Sequence, residues 1–459
     1  MSDAVSTRAT RRKRLRLWLE WVLGTLVLAS IANAYLFFRT NGFLPPPFFF
    51  NYLDSLMDGY NTAAWAFRPG AYDIWRSIYP PISFAWFHIF ATPSCYVGTE
   101  VYARDCDWWL RTAMVLFFFG NTVLVWVMYR RHHRPTALPR AIAVGFGMPM
   151  LYALERANLI IPAFTFFALA YGPLLRNTRL RWLAAACAAN FKPYLIVGII
   201  ATLLRRQWRW FEGATIACAL VYLVSWIIVR DGTPLQVLRN TIIFADASRA
   251  AEWPVSYYAS SYIPLHTFLN ESRAPLIRLI GTDPIDFADW FLPLFMRATQ
   301  ALTLVAAAGI WLRPGLFPKT RGIALAVMFA LSAQETGAYA MCFVLFLLFF
   351  ERMEGFCLTA ALIIGYLLSL CVDYFLVQLD LQVMMESFLA GRRVTASYGL
   401  TVGTIVRPAG LLLIMNLLSI ATLTRLASTL AAERRLRFPW RATAGTALPQ
   451  PVTSAAGSN

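Results

Sequence analysis

The chain has 459 residues, of which 58% are hydrophobic, 15% aromatic and only 14% charged. That balance excludes a soluble globular domain, which needs a far more polar surface. The formal charge of +17 does not mark a nucleic-acid binder, because the arginines fall in short clusters between apolar segments, the pattern of membrane topology.

Arg8, Arg11, Arg12, Lys13, Arg14 and Arg16 make residues 1–16 a basic cytoplasmic N-terminus. The apolar run at 17–38 predicts a first helix, and its lack of a small-residue cleavage site reads as an uncleaved anchor. Residues 39–107 are too polar and proline-rich for membrane core and predict a first outer loop with short interfacial helices. A second helix at 108–128 ends on Arg130, Arg131 and Arg134 and so returns to the cytoplasm.

Three apolar pairs follow, each bounded by arginines at both ends and broken by a polar turn. The turns are Glu155-Arg156-Ala157-Asn158, Phe191-Lys192-Pro193-Tyr194 and Gln334-Glu335-Thr336-Gly337. Positive charge at both ends places both inside, so each pair predicts a helical hairpin turning outward. The Lys192 pair is too short for two full spans and predicts broken helices, tolerable only where protein or a wet cavity shelters the freed backbone groups.

Single spans are expected at 213–229, 294–312, 354–376 and 405–427, enclosing outer loops at 230–293 and 377–404. Residues 428–459 read as a cytoplasmic, partly disordered tail. The fold class is therefore an all-α polytopic membrane domain over 17–427, with about twelve transmembrane helices and both termini cytoplasmic. Membrane lipids are implied as neighbours.

Topology sorts the unusual polar residues onto one face. Asp54, Asp58, Asn61 and Tyr79 lie in the first outer loop; Glu155, Arg156, Asn158, Lys192 and Glu335 lie at hairpin turns; Tyr339 follows the third turn, and Arg407 flanks the last helix. Ionisable groups near a bilayer are costly unless paired or wetted, so such a gathering points to a functional cavity. The blander alternatives stay open: Asp54 and Asp58, four apart, suit the solvated face of an interfacial helix, and Lys192 suits snorkelling. Five of the seven cysteines lie in apolar runs, whereas Cys95 and Cys106 fall in outer polar sequence where a disulfide is permitted. No Cys/His pattern of a metal site is present in the sequence.

The first loop reads Asp54-Ser-Leu-Met-Asp58-Gly-Tyr-Asn61, then Gly70-Ala-Tyr72, then Tyr79-Pro80-Pro81 before an apolar 82–92 stretch suited to an interfacial helix. This arrangement, with the Lys192-Pro193-Tyr194 turn, resembles the GT-C class of polyprenol-phosphate-sugar-dependent glycosyltransferases, and within it family 87, the polyprenol-phosphate-mannose-dependent mannosyltransferases. The layout is similar over most of the chain; only the first loop and the Lys-Pro turn match as motifs.

The resemblance implies a transferase that moves a hexose, mannose first, from a polyprenyl-phosphate-sugar donor to a lipid-linked or glycan acceptor on the outer face of a bacterial inner membrane. It implies no cofactor and no metal. It places the catalytic aspartate on Asp58, with Asp54 in reserve. Lys192, Arg156 and Arg407 become candidate ligands of the donor phosphate, and Asn61, Tyr79, Glu155, Asn158, Glu335 and Tyr339 candidate substrate contacts. The chain departs from the family at Glu155-Arg156-Ala157-Asn158, where many members carry Gly-Gln-x-Asn, and at 332–339, where a Ser-Pro-x-Ser-Trp stretch is common. Three other readings are a lipid-linked-saccharide flippase, a non-enzymatic assembly subunit that would tolerate loss of the aspartates, and an O-antigen polymerase or ligase, for which Arg392-Arg393 is a weak signal.

Overall fold

The computed structural model describes residues 2–48, 54–248, 281–333 and 336–437. They are mostly helical, and six helical segments among them are long and apolar enough to cross a bilayer: Arg14–Asn41, Trp108–His132, Arg134–Glu155, Trp208–Val229, Asp283–Leu312 and Val402–Glu433. Several of these turn large apolar side chains outward, such as Ile216, Leu220, Leu223 and Ile227 on one helix and Leu304 and Val305 on another. In water that surface would be untenable; against lipid it needs no cover. The protein is a helical membrane protein.

In chain order the helices are α1 (Ser2–Asn41), α2 (Met57–Ala66), α3 (Pro81–Phe90), α4 (Glu100–Cys106), α5 (Trp108–His132), α6 (Ala137–Gly145), α7 (Met148–Glu155), α8 (Ile160–Tyr171), α9 (Thr178–Phe191) and α10 (Ile196–Ile200). They continue as α11 (Trp208–Val229), α12 (Gln236–Ser248), α13 (Asp283–Leu312), α14 (Lys319–Ala333), α15 (Met341–Leu348), α16 (Gly355–Leu368) and, last, α17 (Val402–Arg437). The three expected hairpins are α6–α7/α8, α9/α10 and α14/α15, and their second arms are short apolar helices or strings of short helical turns. Pro193 breaks the second pair: it lacks an N–H and holds Lys192 extended, so a 3-10 turn at Pro193–Leu195 intervenes before α10.

Two expectations are corrected. The second loop, placed at 230–293, carries α12, and its last part belongs to α13, which begins at Asp283. The third loop, placed at 377–404, is a β-hairpin, so the domain is not strictly all-α: β1 (Phe375–Ser387) pairs antiparallel with β2 (Arg392–Thr401). The reason is legible in Val377-Gln-Leu-Asp-Leu-Gln-Val383, which alternates with the period of a strand rather than a helix. The span expected at 354–376 accordingly stops early, as α16.

At one end of the bundle two arginines are sealed inside. Arg140 on α6 donates from Nε and Nη2 to the Glu20 carboxylate of α1 at 2.6 and 2.7 Å, and from Nη1 to the carbonyls of Phe349 and Glu351. Arg321 on α14 grips the Glu351 carboxylate at 2.5 and 2.6 Å and reaches Thr422 on α17. Each charge is bidentately matched, the geometry that repays the cost of burial. Glu20 and Phe38 lie eighteen positions apart on the unbroken helix α1, roughly 27 Å at 1.5 Å per residue, so this cluster is far from the opposite end where the three turns meet.

The expected consequence is specific. Glu351→Gln strands the Arg321 charge and should cost about 3–5 kcal/mol, read as a lower midpoint of thermal unfolding in detergent. The double replacement Arg321→Met with Glu351→Leu should recover most of that loss.

Candidate functional site

The polar turn after α7 is built onto α2 by backbone chemistry. The last carbonyls of a helix lack partners, as do the first N–H groups of the next. Here they meet: Leu56 N–H donates to the Glu155 carbonyl at 2.8 Å and Gly59 N–H to that of Arg156 at 3.3 Å. Gly59 permits the approach, since a Cβ there would lie 2.6 Å from the Ala157 carbonyl oxygen. The turn closes through Ala157 in the left-handed region, φ 48°.

That docking brings Asp58, in the first turn of α2, against two side chains. Arg156 Nη2 donates to Asp58 Oδ1 at 2.6 Å, and Asn158 Nδ2 donates to Oδ2 at 2.8 Å. Asn158 is fully buried, and its own Oδ1 accepts from Ile160 N–H at the start of α8. Burial pushes the Asp58 carboxyl up, but the Arg156 charge, these two hydrogen bonds and the Lys192 charge more than offset it, so Asp58 is held below the ordinary carboxylate range.

Asp54 is differently placed. Its backbone carbonyl accepts from Arg156 Nη1 at 2.6 Å, while its half-exposed carboxylate stays 3.8 Å from the same nitrogen. Burial and the neighbouring Asp58 charge raise its pKa against the pull of Arg156. Of the two aspartates, Asp58 is the oriented one.

Lys192 enters from the second turn. The residue is 9% exposed, and its Nζ lies 4.7 Å from the Tyr79 ring centroid. Burial lowers its pKa to about 8, with the Asp58 charge pulling the other way. Among the described residues no carboxylate forms a salt bridge with it. The nearby Tyr194 hydroxyl is buried and has no hydrogen-bond partner among them. Tyr79 itself is fixed by the first loop: Tyr72 donates its hydroxyl to the Tyr79 carbonyl at 3.0 Å, and Asn240 of α12 holds the carbonyls of Tyr72 and Ser77. Pro80 and Pro81 then start α3 without sacrificing an N–H bond.

The third turn contributes Tyr339, whose ring stacks on Tyr152 of α7 at 5.5 Å between centroids. Asp58, Arg156, Asn158, Lys192, Tyr79 and Tyr339 thus form one neighbourhood. Glu155 lies on the far side of the same turn and lines an apolar cavity. Asn61 is half-buried on α2 and shares none of the hydrogen bonds that join the cluster. Arg407 is buried against Asp373, whose Oδ1 also accepts from Tyr374 and Gly403, so it braces the base of the β-hairpin. Glu335 lies outside the described residues.

Sequence reasoning overlooked Gly59 and the free hydroxyl of Tyr194, although both sit inside motifs it singled out. It left the Cys95–Cys106 pair open; the disulfide is formed. Just beyond, buried Asp107 accepts from Thr92, Tyr96, Trp109 and Leu110 and so caps α5. Among the described residues no group of three or more His, Cys, Asp or Glu side chains converges. Compared with family models, with curated proteins and with solved structures, the chain matches none.

Asn158→Ala removes a donor from an ionised carboxylate and should cost about 1.5–3 kcal/mol, measured by thermal unfolding in detergent at neutral pH. Gly59→Ala, which forces backbone apart from backbone, should lower the same midpoint at least as much.

Proposed function

We propose that this protein is a GT-C-like membrane glycosyltransferase that transfers a hexose, mannose favoured, from a polyprenyl-phosphate-sugar donor to an acceptor hydroxyl on the non-cytoplasmic face. The observation that carries the reading is a fixed carboxylate, Asp58, beside a buried cation, Lys192, that lacks a salt bridge among the described residues. Glycosyl transfer asks for these two functions. As the acceptor oxygen bonds to the anomeric carbon, its proton passes to Asp58; the bond from that carbon to the phosphate oxygen breaks, and the negative leaving phosphate is met by Lys192.

Arg156 takes a different part from the phosphate ligand the resemblance implies. Bound to Asp58, it keeps the carboxylate ionised and aimed, at the cost of basicity. A base so weakened takes its proton late, when bond formation has already made the acceptor oxygen acidic. Tyr194 offers its free hydroxyl as a second donor toward the phosphate.

The sidedness has independent support. A disulfide persists where the compartment is oxidising, and Cys95–Cys106 lies in the same first loop as Asp58. The arginine clusters gather at the ends of the spans away from it, as the positive-inside pattern requires. With both termini cytoplasmic and the short hairpin arms counted as partial crossings, the arrangement accommodates about twelve apolar passes.

The decisive experiment is sugar transfer by the purified protein from polyprenyl-phosphate-mannose to a panel of lipid and glycan acceptors. Asp58→Asn should lower turnover by about 10²–10⁴ and Asp54→Asn far less; full turnover in Asp58→Asn rejects the assignment, and movement of labelled lipid-linked sugar without transfer favours a flippase. The pH profile gives a second check. Lys192 is charged below about 8 and neutral above it, so kcat/KM should fall as pH rises through that value. In Lys192→Arg the fall should move to higher pH. For sidedness, a membrane-impermeant maleimide should label Cys95 and Cys106 in intact cells only after reduction; labelling that needs permeabilised cells points to the opposite orientation.

A further inference from the structure

A cavity of about 650 Å³ opens beside the site, lined by Glu155 and Ala157 of the turn that carries Arg156 and by Leu56, two residues before Asp58. Its walls come from α1 (Ile31, Ala34, Tyr35, Phe38), α5 (Met114, Val115) and α7 (Leu151, Leu154), and its roof from Phe388 and Leu389 at the tip of the β-hairpin. Leu56 and Ala157, which flank the Asp58–Arg156 contact in sequence, belong to its floor. Tyr35 and Val115 lie on exposed faces of α1 and α5, two of the candidate membrane spans, so the cavity opens sideways between them toward lipid. A volume of this size is that of a ligand site, and its apolar walls hold hydrocarbon far better than water.

Charge is arranged at the rim. Arg111 lines the cavity at the start of α5. Exposed Arg39 donates to the Tyr35 hydroxyl at 3.2 Å, and exposed Arg392 lies against Gly42 at the end of α1, where a Cβ would stand 2.9 Å from its Nε. Arg111 is thus the cation in the wall of the slot, with Arg39 next to it through the lining Tyr35; the carboxylate of Glu155 lines the same slot. The hairpin tip is held over it by Phe388, whose ring lies 4.0 Å beneath the Arg104 guanidinium.

We propose that this slot receives the hydrocarbon chain of an anionic lipid, that this lipid is the acceptor, and that the hairpin tip closes over it. The inference rests on the glycosyltransferase reading for the word acceptor; the binding site stands without it. It separates the two substrates physically. The donor phosphate is assigned to Lys192, which does not line the slot, whereas Leu56 and Ala157 of the slot stand next to the Asp58–Arg156 contact in the chain, so the acceptor headgroup would emerge near the carboxylate that must take its proton.

The test uses the full chain in nanodiscs containing phosphatidylglycerol or phosphatidylcholine probes with a diazirine at the same depth in the acyl chain. After illumination, labelled peptides are mapped by mass spectrometry, with the outward face of α11 (Ile216, Leu220, Leu223) as the measure of ordinary bilayer contact. The expected result is labelling of 31–38, 114–115 and 388–389 several-fold above α11, stronger for phosphatidylglycerol. Val115→Trp, at the lipid-facing mouth, should abolish the excess while leaving α11 labelling and the thermal midpoint unchanged; Arg111→Gln should remove only the headgroup preference. Labelling of the slot no greater than that of α11, or an excess that survives Val115→Trp, overturns the proposal, and equal capture of both probes overturns its anionic part. None of these readouts needs sugar transfer. A protein that passes them but transfers no sugar retains the lipid site and loses the enzyme.

Discussion

Backbone amides cannot be left bare in an apolar surrounding, and this molecule breaks its helices where that rule is hardest to obey. Two of the hairpins turn at 155–158 and 192–194 and the third just before 336–340, and the first of these turns is closed by groups of another segment. The free carbonyls ending α7 are answered by the free N–H groups beginning α2. Asn158 closes the start of α8. The polar side chains of the site are therefore not ornaments on a finished bundle; they are part of what lets the helices stop.

This economy explains the division of labour around Asp58. Arg156 and Asn158 satisfy a turn and, with their remaining donors, fix a carboxylate. Asp58 gives its two oxygens to Arg156 and Asn158; the Lys192 ammonium, which forms no salt bridge among the described residues, lies against the Tyr79 ring. A ring face attracts a cation without neutralising it. The arrangement leaves one positive charge in a sheltered place with its capacity for an anion unspent.

How much was legible in the sequence depends on the reach of each signal. Arginine clusters and apolar runs marked the long apolar helices because they act locally, and Pro193 marked a broken helix because its ring acts on its immediate neighbour. The aspartates and Lys192 stood out as charges in the wrong surroundings. The contact between Asp58 and Arg156, 98 residues apart, has no local signature, nor does the occupation of Arg407 by Asp373. The β-hairpin did have one, an alternation from Val377 to Val383, which polarity alone does not reveal in a stretch between two spans. Gly59 was visible as a letter and invisible as a requirement, since its neighbour Ala157 arrives from another hairpin.

The buried Arg140 has a consequence for the order in which the molecule is made. Its partners are Glu20, near the start of the chain, and the carbonyls of Phe349 and Glu351, more than two hundred positions after it. While the ribosome is still adding α8 to α14, the guanidinium has Glu20 but lacks those carbonyls. Arg321, in turn, waits for Glu351 and then for Thr422 on the final helix. A nascent chain stopped before residue 349 would hold both arginines incompletely satisfied, a state that invites a chaperone or a protease. Arg140 is therefore fully partnered only once the chain has passed α15, and Arg321 only once α17 is in place.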